Sequence, residues 1–325
     1  MIRVGSDFSG VGAFNQALNR LGIEYKEIFA CDMDKYARQT FIHNYGEPDY
    51  YPTNVYDREI PKESLDIYMT SPPCQAFSSA GRRLGKDDLR GILFFNSYEF
   101  IKVNKPRYFI FENVKGLLSD DGGKTFSEWV NMLGGKSVNY VPVIFPYEES
   151  VPYHLYWQVL NAKEHGVPQN RERVFLVGIR DDEDNSFRFP KEEHLIKRLK
   201  DILEDDVEEK YYLSDSQYIG IKRLYQTLKK NKLPNKEVII DSYNQSIHEE
   251  SICISTRINA SSCTHLWDTK LIRRLTPREC FRLMDFPDSF TWPVSDSQAY
   301  KQAGNSIVVN VLYKILKNLN LDATL

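Results

Sequence analysis

The feature that most constrains the fold is a repeated strand–turn–helix pattern in the first half of the chain. Short apolar stretches with the character of strands are followed by helical patterns or polar turns, and they cover 2–8, 25–31, 66–70, 108–111, 156–160 and 174–179. This alternation is typical of right-handed βαβ units and a mostly parallel sheet. The sequence therefore predicts a doubly wound α/β fold, in which ligands bind at the carboxyl ends of the strands.

The pattern changes near residue 181. Acidic residues outnumber basic ones over 181–210, and only short β-like pieces interrupt the polar stretches up to about residue 270. Over 297–319 a turn and one long amphipathic helix are predicted, which return to α/β character. We therefore predict a catalytic domain made of 1–185 plus 296–325, and a second, smaller and irregular domain made of 186–295.

Composition excludes several classes of protein. The 325 residues are 42% hydrophobic, which excludes global disorder. The net charge of −3 argues against coating of nucleic acid by bulk charge but leaves a local basic groove open. Five scattered cysteines without a CxxC pair favour a reducing compartment. No apolar stretch approaches the roughly 20 residues of a membrane span and no signal peptide is evident, so we expect a soluble, cytoplasmic protein without a membrane partner.

A glycine-rich turn, Phe8-Ser9-Gly10-Val11-Gly12, joins the first strand to the first helix. Glycines let a ligand approach the backbone and a helix N-terminus favours negative charge, although a plain tight turn explains the pattern about equally well. Asp32 ends the second strand, where it is placed either to bind a ribose diol or to cap the next helix. Together these features favour an adenosine-containing cofactor.

A proline-braced cysteine follows the third strand, in the stretch Ser71-Pro72-Pro73-Cys74-Gln75. Two prolines keep the backbone extended and present Cys74 at the functional edge of the sheet. A cysteine is usually a small buried apolar residue, but one presented on such a loop is better interpreted as a nucleophile. The basic segment that follows suits either a solvated loop or contact with phosphates.

Two further strand ends carry charge. Glu112, followed by Asn113, is either a proton donor or a helix cap. Arg171 and Arg173 lead into the strand at 174–179, where salt bridges and substrate contacts are equally reasonable interpretations. The six histidines form neither a metal set nor a triad, so no metal is expected.

Taken in chain order, these motifs resemble the DNA cytosine-5 methyltransferases, the enzymes of bacterial and phage modification systems that use S-adenosyl-L-methionine (AdoMet). The resemblance covers nearly the whole chain, with a variable segment between Arg173 and Arg274. It rests on Asp7-Phe8-Ser9-Gly10-Val11-Gly12, Asp32, Pro72-Pro73-Cys74-Gln75, Glu112-Asn113-Val114, Gln169-x-Arg171-x-Arg173, Arg274-x-x-x-Arg278-Glu279-Cys280 and Gln302-Ala303-Gly304-Asn305-Ser306. It implies AdoMet as cofactor, double-stranded DNA as partner, and a target-recognition role for 186–295.

The resemblance also implies a mechanism. Carbon 5 of cytosine is a poor nucleophile until a thiolate, here Cys74, adds to carbon 6. Glu112 corresponds to the acid that contacts N3 and the exocyclic amine, Arg173 to the residue that holds the carbonyl oxygen, and Arg171 to a neighbour that organises the site. The base must be flipped out of the duplex, at about a few kcal/mol. The loop that closes behind it, and other DNA contacts, would involve Gln75, Ser78, Arg82, Arg83, Arg90 and Asn113.

The resemblance further implies a cofactor site, although some positions depart from the family pattern. Asp32 stands where glutamate is more frequent, Met33 where some relatives place an aromatic residue, and Asn54 where relatives use aspartate. The acid of the first motif is replaced by Ser6, and we assign no ligand role to the shifted Asp7. The implied cofactor residues are Phe8, Ser9, Gly10, Gly12, Asp32, Met33, Asn54, Pro72, Asn305 and Ser306.

Three other functions stay open at this point. A tRNA cytosine-5 methyltransferase on the same fold would carry Cys-Phe-Thr, where this chain has Cys263-Thr264-His265. A non-catalytic nucleic-acid-binding relative would lack Cys74 or Glu112. A thiol hydrolase or peptidase would need a histidine partner, and only His165 lies near a strand-end motif. We predict a monomeric DNA cytosine-5 methyltransferase, functionally paired with a restriction endonuclease.

Overall fold

The computed structural model describes residues 1–72, 89–183, 186–228, 236–254, 264–269, 271–319 and 321. Its strands are β1 Ile2–Asp7, β2 Tyr25–Cys31, β3 Ile67–Thr70, β4 Tyr108–Val114, β5 Ser137–Val138, β6 Val141–Pro142, β7 Tyr153–Asn161, β8 Gln169–Asn170, β9 Glu172–Arg180, β10 Val238–Asp241, β11 Ser246–His248, β12 Ser251–Ile252, β13 Thr264–Trp267 and β14 Ile272–Arg273. Its α-helices are α1 Ala13–Leu21, α2 Lys35–Tyr45, α3 Leu89–Asn104, α4 Lys124–Leu133, α5 Asp215–Leu228, α6 Pro277–Leu283, α7 Asp296–Asn305 and α8 Val309–Lys317. Short 3-10 helices cover Lys115–Gly123, Ala162–His165, Leu199–Ile202 and Glu209–Tyr211.

An eight-stranded sheet organises the first of two compact units, which comprises the described residues of Met1–Leu160, Glu172–Pro190 and Tyr313–Leu325. The strand order is β2-β1-β3-β4-β9-β7-β5-β6. Strands β2, β1, β3 and β4 are parallel, whereas β9 is antiparallel to β4. The predicted doubly wound, mostly parallel α/β fold is confirmed. Because such strands are buried on both faces, they appear in the sequence as nearly continuous apolar runs.

The second unit comprises the described residues of Asn161–Arg171 and Lys191–Leu312. It contains an antiparallel sheet of order β11-β10-β13-β14 and a small parallel pair formed by β8 and β12. Its small apolar cluster is built around Val238, Ile240, Trp267 and Ile272. These short strands have the irregular character that the sequence predicted. The domain boundaries drawn from the sequence, 1–185 plus 296–325 and 186–295, stay a prediction.

Helix ends follow local signals in the sequence. Helix α1 ends at Leu21 and is followed by Gly22, which adopts the left-handed conformation with φ 71°. Helix α2 begins after Asp34, whose side chain accepts the backbone N–H groups of Tyr36 and Ala37. The alternative in which Asp32 caps this helix is therefore wrong.

The C-terminal region differs from its prediction. A turn followed by one long helix was expected over 297–319, but the structure contains two helices, α7 and α8. Ser306 interrupts them because its backbone is extended, with φ −70° and ψ 160°. None of the described helices combines the length and apolar character required to cross a membrane.

Glu27 on β2 is a partly buried residue whose carboxyl group has an incomplete set of hydrogen bonds. Asn15 Nδ2 donates to its Oε2 at 2.8 Å, whereas Oε1 accepts no hydrogen bond within the described part of the chain. Burial raises the pKa of Glu27 from 4.5 to about 7, and the hydrogen bond from Asn15 opposes this shift. At a pH between these two pKa values, the carboxyl group of Glu27 is therefore mostly protonated in the folded state and mostly ionised in the unfolded state.

We predict that the free energy of unfolding falls as the pH rises from about 5 to about 7.5, because a carboxyl group with a raised pKa binds more protons in the folded state. Glu27→Gln removes this decline and stabilises the protein above about pH 8 by on the order of 2 kcal/mol. Urea unfolding at about pH 5.5 and about pH 8.5 measures both effects. Glu24→Gln, at an exposed position just before the same strand, is the matched control. A Glu27→Gln variant that keeps the wild-type pH dependence would contradict the prediction.

Candidate active site at the carboxyl edge of the parallel sheet

Strands β1, β2 and β3 end at one level of the sheet in the first unit, and β4 passes that level at Phe111 before it ends at Val114. Asp7 of β1 pairs with Cys31 of β2 and with Thr70 of β3, and Thr70 pairs with Phe111 of β4. The residues that follow these strands therefore lie side by side, as expected for the ligand-binding edge of such a sheet. Candidate site residues at this edge are Phe8, Asp32, Pro72 and Glu112.

The turn after β1 has a left-handed backbone at three positions. The φ values of Phe8, Gly10 and Gly12 are 57°, 55° and 84°. A Cβ atom at Gly12 would lie 2.2 Å from the ring of Tyr45, so glycine is required where α1 begins. A Cβ atom at Gly10 would meet no other atom within 4 Å, so a ligand can approach the backbone there. Ser9 N–H secures the turn to the end of β2 with a 3.0 Å hydrogen bond.

Asp32 is oriented by two backbone N–H groups. Gly10 donates to Oδ2 at 2.8 Å and Asp34 donates to Oδ1 at 2.8 Å. An ionised carboxylate accepts about four hydrogen bonds, so two acceptor positions remain for a ligand diol. Burial raises the pKa of Asp32, and the backbone hydrogen bonds from Asp34 and Gly10 oppose this by stabilising the ionised form. The open backbone at Gly10 and the carboxylate beside it fit the ribose of an adenosine cofactor.

The loop after α2 runs past the end of β2. Asp32 N–H donates to Pro52 O at 3.3 Å. Two residues later, Asn54 is exposed, and its Oδ1 accepts the backbone N–H of Tyr56 at 3.1 Å. The side chain of Met33 is 86% exposed. Contacts of Asn54 and Met33 with an adenine stay predictions.

The end of β4 fixes the point at which the chain leaves β3. Asn113 Nδ2 donates to Pro72 O at 3.2 Å, and Asn113 Oδ1 accepts the N–H of Val114 at 2.8 Å. Asn113 is buried and these contacts are with the chain itself, so its predicted contact with DNA stays a prediction. Outside the described residues lie Cys74, Gln75, Ser78, Arg82 and Arg83, together with the side chain of Arg90.

Glu112 and Arg173 form an ion pair on neighbouring strands. Because β4 and β9 are antiparallel, Val114 lies opposite Arg173, and Glu112 shares a face with both. Arg173 Nε lies 3.0 Å from Glu112 Oε1, with side-chain exposures of 17% and 10%. The family resemblance implies that these two residues contact different parts of one edge of a base. The structure brings the two side chains into contact with each other. A ligand at this edge would meet hydrogen-bond donors and acceptors side by side.

Arg171 lies in the second unit, where its guanidinium is buried among carbonyl groups. Nη1 donates to Ile254 O at 3.0 Å, and Nη2 donates to Gly304 O at 3.1 Å and to Ser306 O at 2.8 Å. These contacts, which fix the backbone around residue 305, are those of a positioning residue. Asn305 is exposed and Ser306 is buried. Their contacts with a cofactor stay predictions.

Of the other thiols and imidazoles that the structure describes, those of Cys31, Cys280, His165 and His265 are buried. Burial raises the pKa of Cys31 to about 12 and raises that of Cys280 well above its ordinary value, so neither thiol is a ready nucleophile. Cys253 is exposed. Burial lowers the pKa of His265 to about 4, and His165 is fully buried. Among the described residues, no group of three His, Cys, Asp or Glu side chains is placed to hold a metal ion.

A buried ion pair beneath the first turn was missed by the sequence-based prediction. Asp7 contacts Arg58, with Arg58 Nε 2.9 Å from Asp7 Oδ1. One signal was present, because a charged residue within a buried strand requires a buried partner. The sequence does not identify that partner, since Arg58 lies 51 positions further along the chain.

Comparison with known proteins shows similarity over almost the whole length. Residues 2–320 match the family model of the C-5 cytosine-specific DNA methylases. The Type II methyltransferase M.HpaII of Haemophilus parainfluenzae is 36% identical over 336 residues, which cover 96% of this chain and 88% of that protein. M.NlaX of Neisseria lactamica is 35% identical, with 98% and 96% covered. M1.ScrFI of Lactococcus lactis subsp. cremoris is 35% identical, with 96% and 76% covered.

Solved structures share the fold. The Dnmt2 methyltransferase of S. pombe matches with a TM-score of 0.70 at 20% identity, covering 99% of both chains. A putative DNA modification methyltransferase encoded within an E. coli prophage matches with a TM-score of 0.68 at 20% identity, covering 98% of this chain and 99% of that one. These matches show the fold, whereas the family model and the relatives with 35–36% identity show the family. The chain belongs to the C-5 cytosine-specific DNA methylase family.

Proposed function

We propose that this protein transfers a methyl group from AdoMet to carbon 5 of a cytosine in double-stranded DNA, with Cys74 as the nucleophile. The observation that carries the residue assignment is the ion pair between Glu112 and Arg173 beside the exit of β3. Asn113 Nδ2 donates to Pro72 O, so Pro72, two positions before Cys74 in the sequence, lies beside the strand that carries Glu112. This placement supports the proposal that nucleophile and base-recognition groups act at one edge of the sheet.

The Glu112–Arg173 pair matches the edge of a cytosine. That edge carries a carbonyl oxygen at position 2, a ring nitrogen at position 3 and an amine at position 4. Arg173 donates to the carbonyl oxygen, while Glu112 accepts from the amine and shares a proton with N3. Thymine has a carbonyl group where cytosine has the amine. It would therefore set an acceptor against the carboxylate and leave a buried group without a partner.

The proposed reaction needs this pair because charge develops on the ring. The Cys74 thiolate adds to carbon 6, and the electrons of the 5,6 double bond move to carbon 5. Contacts of Arg173 and Glu112 with the 2-oxygen and N3 stabilise the resulting adduct. AdoMet would supply the methyl group that carbon 5 takes up, with cleavage of the bond between its sulfur and that methyl group and release of S-adenosylhomocysteine. Loss of the carbon 5 proton to a base and rupture of the C6–S bond then restore the double bond and the thiolate.

The cofactor assignment rests on the turn after β1 and on Asp32. Gly10 leaves backbone accessible, and Asp32 keeps two acceptor positions for a ribose diol. Burial of the cofactor's adenosine against this turn would exclude water from the methyl donor. The remaining residues that we assign to this site by resemblance are Phe8, Ser9, Gly12, Met33, Asn54, Pro72, Asn305 and Ser306.

We further infer a role in a bacterial or phage modification system. The curated relatives are Type II methyltransferases of bacteria, which supports methylation of a short duplex sequence as protection from a restriction endonuclease. The protein would act in the cytoplasm as a monomer, with 186–295 reading the target sequence in the major groove. The DNA-facing side chains would include Gln75, Ser78, Arg82, Arg83, Arg90 and Asn113.

Incubation with tritiated AdoMet is predicted to label duplex DNA and not tRNA. Cys74→Ser should lower the incorporation by about three orders of magnitude or more, because a serine hydroxyl is scarcely ionised at neutral pH. Label in tRNA and not in DNA would support the rival tRNA methyltransferase. Undiminished label with Cys74→Ser would exclude Cys74 as the nucleophile. Bisulfite sequencing of DNA from an expressing host would then identify the target sequence.

Glu112→Gln is predicted to lower the single-turnover methylation rate by about two orders of magnitude, because the amide cannot supply the proton for N3. Arg173→Lys should also slow the reaction, since lysine lacks the planar guanidinium proposed to hold the carbonyl oxygen of the base. The matched control is Glu172→Gln, which removes a half-exposed carboxylate that pairs with Lys115 at 2.9 Å. Rates of Glu112→Gln equal to those of the control would contradict the assignment.

Asp32→Ala is predicted to weaken binding of S-adenosylhomocysteine about tenfold or more, because both ribose hydroxyls lose their acceptor. Isothermal titration calorimetry measures the affinity, and circular dichroism verifies the fold. Asp49→Ala removes an exposed carboxylate on the loop after α2 and serves as the control. A folded Asp32→Ala variant with wild-type affinity would refute the proposed ribose contact.

A further inference from the structure

A buried charge network lies directly beneath the candidate cofactor turn. Arg58 Nε lies 2.9 Å from Asp7 Oδ1, and the two side chains are 2% and 0% exposed. Tyr68 donates its hydroxyl to Asp7 Oδ2 at 2.5 Å. Burial raises the pKa of Tyr68 well above its ordinary value, so this hydroxyl keeps its proton. Arg58 Nη2 donates to Asn96 O at 3.4 Å, and the guanidinium packs 4.6 Å from the ring centre of Phe100.

The network joins two segments that carry candidate cofactor residues. Asp7 directly precedes Phe8, whose φ of 57° is unfavourable for a residue with a side chain and persists where the surroundings fix it. Arg58 ends the segment 52–58. At the start of that segment, Pro52 O accepts the N–H of Asp32 at 3.3 Å. The segment is therefore fixed at one end to Asp32, just after β2, and at the other end to Asp7.

Stability alone does not explain this network. The desolvation of two charges offsets much of their attraction, and apolar side chains of similar size often replace such pairs without loss. Arg58 Nη1 is buried and makes no hydrogen bond with any residue that the structure describes, so the pair is incompletely satisfied. Hydrogen bonds impose a distance and a direction. The network therefore supplies a fixed spacing between two loops, which apolar packing would not.

We propose that Asp7 and Arg58 are positioning residues for the methyl donor. They hold the turn at Phe8 and the segment 52–58 at the spacing that AdoMet binding requires. Both side chains are sealed in the interior, so they act through the turn and through Asn54 and do not touch the cofactor. This inference rests on the proposed function, because it takes AdoMet as the ligand of these loops.

The triple variant Asp7→Leu/Arg58→Met/Tyr68→Phe tests the proposal by removing the whole network at once. It leaves none of the three side chains with an unpaired buried polar group, so it is expected to fold and to melt within a few degrees of the wild type. Its affinity for S-adenosylhomocysteine is expected to fall roughly tenfold, with a similar rise in KM for AdoMet and little change in kcat. Calorimetry measures the affinity without requiring activity.

A second variant keeps the test decisive if the triple variant does not fold. Arg58→Lys retains the positive charge beside Asp7 but loses the planar guanidinium. It is therefore expected to fold and to bind S-adenosylhomocysteine about fivefold more weakly. The matched control Arg107→Met/Glu183→Met removes a partly buried ion pair of 2.8 Å at the opposite end of β4, and its affinity is expected to stay at the wild-type value.

The outcomes separate this inference from the proposed function. Wild-type affinity for S-adenosylhomocysteine in either folded network variant would overturn the positioning role and leave the cofactor assignment standing. An equal loss of affinity in the Arg107→Met/Glu183→Met control would also overturn it, because the effect would then follow from any ion pair of the sheet. Failure of the wild-type protein to bind S-adenosylhomocysteine would overturn the cofactor assignment and this inference together.

Discussion

The common level of Asp7 on β1, Thr70 on β3 and Phe111 on β4 is the constraint on which the rest of the site depends. It places the turn at Gly10, the proline that leads to Cys74, and Glu112 along one edge of the sheet. Strand β9 runs in the opposite direction, so its beginning reaches that edge and Arg173 meets Glu112. Because β9 is antiparallel to β4, the Arg173 guanidinium lies at the same edge of the sheet as the Glu112 carboxylate.

Two ion pairs of this unit have similar chemistry but different surroundings. The side chains of Asp7 and Arg58 are at most 2% exposed, and their partners are all provided by the protein. Those of Glu112 and Arg173 are 10% and 17% exposed. A sealed pair can only hold its neighbours in place, because exchange of partners would leave a buried charge unpaired. A pair that is open on one side can transfer its hydrogen bonds to a ligand, as the proposed binding of cytosine requires.

Features with local signals could be predicted from the sequence, and features that join distant segments could not. The end of α1 follows from Gly22, and α2 begins after an acidic residue, although the cap is Asp34 and not Asp32, the residue that the sequence analysis offered. The break between α7 and α8 lies where Arg171, 135 residues before Ser306, binds its carbonyl. Partners at such separations are determined by tertiary packing, and they cannot be predicted from hydrophobic periodicity, which reports only local structure.

The two halves of the proposed site differ in what binding must change. At Asp32, the backbone hydrogen bonds already made can persist when a diol takes the two remaining acceptor positions, so that half is preorganised. At Glu112 and Arg173, a base must replace a contact of 3.0 Å that the protein already has. The exchange is favourable only for a base that satisfies both partners at once, since loss of the ionic contact without replacement is costly for two mostly buried charges. Selectivity for cytosine would then come from the ion pair that the base displaces as much as from the contacts that it makes.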